Sequence, residues 1–410
     1  MSVLGPSEVE LAAAEEGGVR AAARAYLERV RAGDVGSLPV IVALALITVF
    51  FTAKTSVFFT SINFDNLIVQ MAPVALIAIG VVFVLLLGEI DLSIGSVSGV
   101  GGVVVAELQQ AGTGHNLGGG AAIAIAIAVG ALIGALQGSF VALIGVPSFV
   151  VTLAGLLAFQ GVILKALGIQ GVIGIQSNTV NNVANYFLPK EWGWAIAAAV
   201  TVGLCAVTVS GFVTRHRAGL PIGNPLLAAL RLAALAVIAF GAVAICNHAR
   251  GVPFAGLLVI GLIGFWTYVA RRTTFGRHVY AVGGNPEAAR RAGINVARIR
   301  ILVFMISGAM AALGGIAFAA RLSSVDLTAG SGTVLLDSIA AAVIGGTSLF
   351  GGRGYVRSAL LGALVIKTIE NGLDLLGQTD WVKNVTTGLI LLAAVTLDTL
   401  SRRRLERVGR

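Results

Sequence analysis

From Ser37 onward the chain consists of apolar runs separated by short polar segments, and that recurrence constrains the fold more than any other feature. A helix needs about 20 apolar residues to cross roughly 30 Å of hydrocarbon. Runs of that order fall at 37–53, 66–88, 92–107, 120–144, 147–167, 192–213, 226–246, 252–270, 300–321, 333–350, 355–376 and 382–400. The expectation is an all-α, polytopic integral membrane protein with about 12 spans (10–12). Composition agrees: 57% of the 410 residues are hydrophobic and 11% are charged. Soluble domains carry about 25% charged residues. The 54 glycines fit helices that approach closely in lipid, where association relies on packing.

The formal charge of +9 is placed where a membrane protein places it, not in a nucleic-acid-binding patch. With the arginine-bearing N-terminal arm inside, twelve spans put four further basic segments on the same side. These are Arg215–Arg217, the stretch 271–300, Arg353 with Arg357, and the tail after Ser401. The segments 54–65, 108–119, 168–191 and 247–251, left outside, are poor in Lys and Arg, as the positive-inside rule requires. Both termini are therefore expected in the cytoplasm. Residues 1–36 read as an arm with an amphipathic helix over 8–32 lying in solvent or on membrane lipid, and 401–410 as a basic tail. The first 33 residues carry both charges and read as no signal peptide.

Chemistry of its own is not expected. Cys205 and Cys246 lie isolated in apolar runs, and His115, His216, His248 and His278 share no ligand spacing, so no metal or cofactor is implied. No lysine follows the glycine pattern of a phosphate-cradling loop. No polar domain is present to hold a catalytic constellation, and no catalytic residue is assigned.

Three polar features interrupt the hydrocarbon. Glu89, Asp91 and Ser93 sit between two runs, ahead of a glycine-rich stretch. A carboxylate at mid-membrane costs about 2.5–3.5 kcal/mol, so such groups persist at helix ends, polar contacts or cavities. Asp91 reads as an N-cap restarting a helix, or as part of a broken helix lining a pathway. Asp337 with Ser338, followed by the Gly345-Gly346 and Gly351-Gly352 pairs, weakly repeats the pattern. Lys367, Glu370, Asn371 and Asp374 share one side of a helix, either as an ion-paired stripe or as a hydrophilic wall. Glu89, Asp91, Ser93, Asp337 and Asn371 are the translocation-path candidates.

The stretch 271–300 holds seven arginines and one acid, Glu287. Within it Gly283-Gly284-Asn285-Pro286 is turn chemistry. Asn285 as N-cap, Pro286 in the first turn and Glu287 behind it mark a helix start, and Gly293 a helix stop. A short capped helix between two spans presents a surface.

At these residues the chain resembles a family. The run FGRHVYAVGGNPEAARRAGINVARIRILVFMISG is similar to the coupling-loop region of permease subunits of bacterial ABC sugar importers of the ribose/xylose type. GEIDLSIGSVSG, VPSFVVTLAGLLAFQG, LDSIAAAVIGGTSLFGGRG and NGLDLLG follow that family's order from about residue 66 onward. The additional apolar pair between about 192 and 250 and the RGVP at 250–253 are most similar to the xylose-type branch. The resemblance implies an ABC importer permease fold over 37–400, in the bacterial inner membrane. It implies cytoplasmic ABC ATPase subunits, a second permease subunit giving a homodimer, and an extracytoplasmic sugar-binding protein. Within the coupling loop 271–300 it assigns ATPase contact to Gly284, Asn285, Pro286, Glu287, Ala288, Ala289, Arg290, Gly293 and Ile294. Pro286 and Arg291-Ala292 depart from the usual pattern, and the sugar is set largely by the binding protein. The expected cargo is a monosaccharide, a pentose such as xylose. The rivals are a permease of the same superfamily for another sugar or a branched-chain amino acid, a secondary transporter using Asp91, Glu89 or Glu370 as proton carriers, and a membrane scaffold.

Overall fold

The structure, a computed structural model, describes residues 38–110, 117–219 and 224–407. The N-terminal arm over 1–36 and residues 408–410 of the basic tail lie outside them. The chain divides into two compact units, one holding 187–252 and the other 39–186 with 253–399.

In the larger unit the helices are α1 (Leu38–Lys54), α2 (Ser61–Leu86), α3 (Ile94–Leu108), α4 (Gly119–Ser139, ending in a π-turn Phe140–Ile144), α5 (Ser148–Leu167) and α6 (Asn178–Asn185). In the smaller unit α7 (Lys190–Arg217) and α8 (Pro225–His248) pack on each other. The larger unit resumes with α9 (Phe254–Arg272), α10 (Thr274–Gly284), α11 (Pro286–Arg291), α12 (Val296–Leu322), α13 (Val334–Ile344), α14 (Ser358–Leu375) and α15 (Asp380–Arg407). Every apolar run read from the sequence contains a helix. Among the described residues seven helices are long and apolar enough to cross a membrane: α2, α4 with its π-turn, α5, α7, α8, α9 and α12.

The segment 333–350, expected as a span, is different. Its helix α13 has 11 residues, and at about 1.5 Å per residue it rises roughly 16 Å, half the hydrocarbon thickness. The Gly345-Gly346 pair ends it, with Gly346 at φ 103°. The loop ahead of it, around Ala329 and Gly330, packs on the first turns of α3 at Gly95 and Gly99. The segment 168–191 is also more ordered than a bare connector. It holds β1 (Val172–Gly174), antiparallel to β2 (Ser324–Asp326) with Ile173 opposite Val325, and α6.

The larger unit is organised around α2 and α12. Residues Val74 to Ile79 of α2 are all fully enclosed, unlike any surface helix. α12 packs along α4, α2 and α3, and α14 lies against α2 and α13. The α4–α12 crossing is backbone on backbone: a Cβ on Gly308 would fall on the Gly130 carbonyl, and one on Gly130 would fall on the Gly308 carbonyl. In lipid this is how helices gain dispersion contact without a hydrophobic driving force. Apolar faces turned outward, such as Leu132 and Leu136 of α4 and Val237 and Ile238 of α8, are suited to lipid.

Replacing Gly308 by Val is expected to lower stability by at least about 1–3 kcal/mol through overpacking. Gly264→Val, where a side chain meets open space, is expected to be silent. Thermal unfolding of the detergent-solubilised protein separates the two.

Candidate functional site

Three groups of polar residues stand out in the larger unit. The first is the exposed basic end. Here the stretch 271–300, expected as a loop with one helix, is the end of α9, two short helices and the start of α12. α11 is built by its caps. Asn285 Oδ1 accepts from the Ala288 N–H at 2.9 Å, and Pro286 occupies the first turn, where its missing N–H costs nothing. At the other end Gly293, at φ 84°, donates to Arg290 O, and Ile294 donates to Ala289 O. This is a Schellman closure, which relieves the last carbonyls. Glu287 pairs with Arg290 at 3.2 Å and Arg291 at 3.5 Å. Both are exposed pairs worth only about 0.3–0.5 kcal/mol each. Gly284, Asn285, Pro286, Glu287, Ala288, Arg290 and Gly293 face solvent, whereas Ala289 is buried and Ile294 half-buried. A cavity of about 340 Å³ opens beside this helix between Arg290, Ile294, Arg300 and Ala142.

α10 ties α11 to the interior. Tyr280 donates to Gly354 O at 2.9 Å, and Arg271 and Arg357 each stack on Tyr355, 4.3 and 4.6 Å from its ring centre. Burial raises the Tyr280 phenol above its ordinary value, against the opposing pull of Arg271. Gly283 lies on the Leu86 carbonyl so closely that a Cβ would overlap it, and that carbonyl accepts from Gly352 N–H at 2.9 Å.

The second group is the link between α2 and α3, residues 87–93. Glu89 forms an ion pair with Arg300 of α12 at 3.1 Å. Ile90 N–H donates to Ser148 Oγ and Ile90 O accepts from Thr152 Oγ1, both at 3.3 Å on α5. Asp91 is buried and fully engaged: Oδ1 accepts from Ser93 N–H at 2.9 Å and Ser93 Oγ at 2.7 Å, and Oδ2 from Ser307 Oγ at 3.1 Å. Gln137 of α4 donates to Ser93 Oγ at 2.9 Å. The expected N-cap at Asp91 is corrected here: the residue preceding the first turn of α3 is Ser93, and Asp91 braces it from two positions back.

The third group joins the start of α2 to α13 and α14. Lys367 of α14 bridges Asp337 of α13 at 2.8 Å and Glu370 at 2.5 Å, and Thr333 Oγ1 adds a bond to Asp337 at 3.0 Å. Asp337 and Lys367 are buried. Next to them Asn63 of α2 and Asn371 of α14 exchange two amide hydrogen bonds, 2.9 and 3.0 Å, and Asn371 also donates to Gln70 at 3.3 Å. The path candidates thus separate: Glu89, Asp91 and Ser93 belong to one end, Asp337 and Asn371 to the other.

Asn63, Gln70, Gln137, Ser307 and Arg300 were not singled out from sequence. Asn63 and Gln70, seven positions apart on α2, share a helix face, and that spacing was the available signal. Ser307 and Gln137 carried none, because single polar residues in apolar helices most often bond their own backbone.

A protein-family model described as branched-chain amino acid transport system / permease component matches residues 63–395. The chain is 37% identical over 407 residues to the xylose transport system permease protein of Escherichia coli (strain K12), covering 98% of this chain and 100% of that protein. It is 36% identical over 368 residues to the xylose transport system permease protein of Haemophilus influenzae, covering 89% and 96%. To the ribose import permease protein of Escherichia coli (strain K12) it is 33% identical over 360 residues, covering 87% and 92%. No solved structure matches the chain.

Removing Lys367 leaves the buried Asp337 and the part-buried Glu370 without their shared cation. Lys367→Met is expected to cost about 3–5 kcal/mol, as for other broken buried pairs. Adding Asp337→Asn and Glu370→Gln to the same chain is expected to recover most of the loss, measured as thermal stability in detergent.

Proposed function

The chain belongs to the branched-chain amino acid transport system / permease component family, and from that premise we propose that it translocates a monosaccharide, a pentose such as xylose, in an ATP-driven importer of the inner membrane. It is a transport subunit rather than an enzyme. ATP hydrolysis belongs to separate cytoplasmic ABC ATPase subunits, and an extracytoplasmic binding protein delivers the sugar. The observation that carries this reading is α11: a short, doubly capped, solvent-facing helix at the basic end. The chain has no phosphate-cradling motif of its own, so a helix built only to present surface needs a partner that supplies the work.

In this reading 271–300 is the cytoplasmic coupling loop, 37–400 the membrane domain and both termini are cytoplasmic, with a second copy of the chain completing a homodimer. Gly284 to Arg290, Gly293 and Ile294 seat in the ATPase. Movement of α11 there rocks α10 and α12, and the helices attached to them alternate the exposure of the path. Asp337 and Asn371 stand on its outer half, and Glu89, Asp91 and Ser93 at its inner closure. Neutral cargo suits the outer group, because Lys367 is already engaged by Asp337 and Glu370 while amides of Asn63, Gln70 and Asn371 match sugar hydroxyls. A zwitterionic amino acid would require those charges to be free.

Reconstitution with the cognate ATPase and binding protein tests the proposal. Uptake of labelled D-xylose is expected to require ATP on the ATPase side and to survive an uncoupler. Uptake that collapses with the proton gradient and ignores the ATPase overturns it. Glu287→Lys together with Arg290→Glu is expected to lower uptake at least about tenfold, equivalent to about 1.4 kcal/mol, with the subunit still in the membrane.

A further inference from the structure

The interior must sense α11 through some contact, and few are available. Among the described residues α11 packs mainly on α10 and α12. From those two helices the routes inward include apolar packing, the Gly283 contact on Leu86, the hydrogen bonds of Tyr280 to Gly354 and of Ser307 to Asp91, and one ion pair. Among the described residues, Arg300 with Glu89 is the ion pair that joins the start of α12 to another element. Its geometry is specific. Arg300 lies five positions beyond the Asn295 cap that begins α12 and lines the cavity beside α11. Glu89 is 14% exposed and sits on the link between α2 and α3, not within either helix. Its chain neighbour Gly88 has φ 74°, a conformation that frees the link from helical geometry. Ile90, Asp91 and Ser93 then contact α5, α12 and α4 in turn. A displacement of Glu89 is therefore delivered to three helices at once.

Resting on the importer reading above, we propose that the Glu89–Arg300 ion pair is the positioning contact that transmits movement of α11 to the α2–α3 link, with Gly283 against Leu86 as its steric counterpart. The pair does not touch cargo. It sets where the link stands when the coupling helix shifts, and through Asp91, Ser93 and Gln137 it sets whether the inner end of the path is closed. A half-buried pair fits this duty. Exchange with water at full exposure would weaken it to less than the coupling needs, whereas full burial would fix it in one arrangement.

The test uses the reconstituted complex with its ATPase and binding protein, labelled D-xylose as the probe, and two readouts: sugar taken up per ATP hydrolysed, and ATPase copurification. Glu89→Gln and Arg300→Gln are each expected to lower uptake per ATP at least about tenfold, with ATPase copurification unchanged. The reversed pair, Glu89→Arg with Arg300→Glu, is expected to regain uptake that Arg300→Glu alone loses. A merely structural pair would lower membrane yield and ATPase binding together and leave the ratio of uptake to ATP unmoved. Neutral variants within about twofold of the parent ratio, or a reversed pair no better than Arg300→Glu alone, overturn the proposal while the importer reading stands. A parent complex that moves D-xylose without consuming ATP overturns both.

Discussion

Backbone interrupted inside hydrocarbon must find a partner for every polar group it frees, and the α2–α3 link is where this chain meets that demand. Lipid offers no hydrogen bonds, so an irregular segment at this depth survives only when protein encloses it. The link is enclosed by α4, α5 and α12, and each supplies a hydroxyl or amide to it: Gln137, Ser148, Thr152 and Ser307. The arrangement explains why α12 lies so deep. Its glycine and serine positions let it approach α3 and α4 closely enough for Ser307 to reach Asp91. The fold of the larger unit follows from satisfying a handful of polar atoms as much as from burying apolar area.

Two buried acids are handled in opposite ways. Asp91 is held by neutral donors alone, whereas Asp337 is held by a lysine that Glu370 shares. Hydrogen bonds to a charged acceptor contribute about 1.5–3 kcal/mol each. Three of them meet the insertion cost of about 2.5–3.5 kcal/mol for a central carboxylate without importing a positive charge. The lysine cluster places a cation and two acids in one site, which fixes α13 against α14. Both solutions give each acid a partner within the fold.

Much of this was legible in the sequence, and the exceptions have a common cause. Run length gave the helices because hydrocarbon thickness is a fixed ruler. Caps gave α11, since Asn285, Pro286 and Gly293 act within one or two turns of themselves. The reading failed where a residue's partner is distant in sequence. Asn63 and Asn371 are 308 positions apart, and nothing local announces their pairing. Glu89 was read as a path candidate because an acid beside hydrocarbon is costly, and its pairing with Arg300, 211 positions on, had no local signal. The segment 333–350 misled for a different reason. Its apolarity reaches span length, but Asp337 and the Gly345-Gly346 and Gly351-Gly352 pairs already made it one of the weakest runs, and the chain leaves the helix at the first pair. The two short strands joining the segment 168–191 to Ser324–Asp326 are too brief to carry a periodic signal.

Stiffness decides where motion can appear. The α4–α12 crossing is carbonyl against glycine along Gly130, Gly134 and Gly308, with no side chain free to rearrange between them. Closely packed interfaces of this kind shift as bodies and do not deform. This packing ties α4 closely to α12 along the crossing. The compliant elements are those with exchangeable polar partners and glycine backbones: the 87–93 link and the 345–357 loop, which meet each other at Leu86, Gly88, Phe350 and Gly352. Both lie at the end that carries α11, and both border half-length or discontinuous helices. Rigid crossings in the bulk and replaceable hydrogen bonds at this one end favour rearrangement in the layer nearest α11, so a small displacement there has a defined place to act.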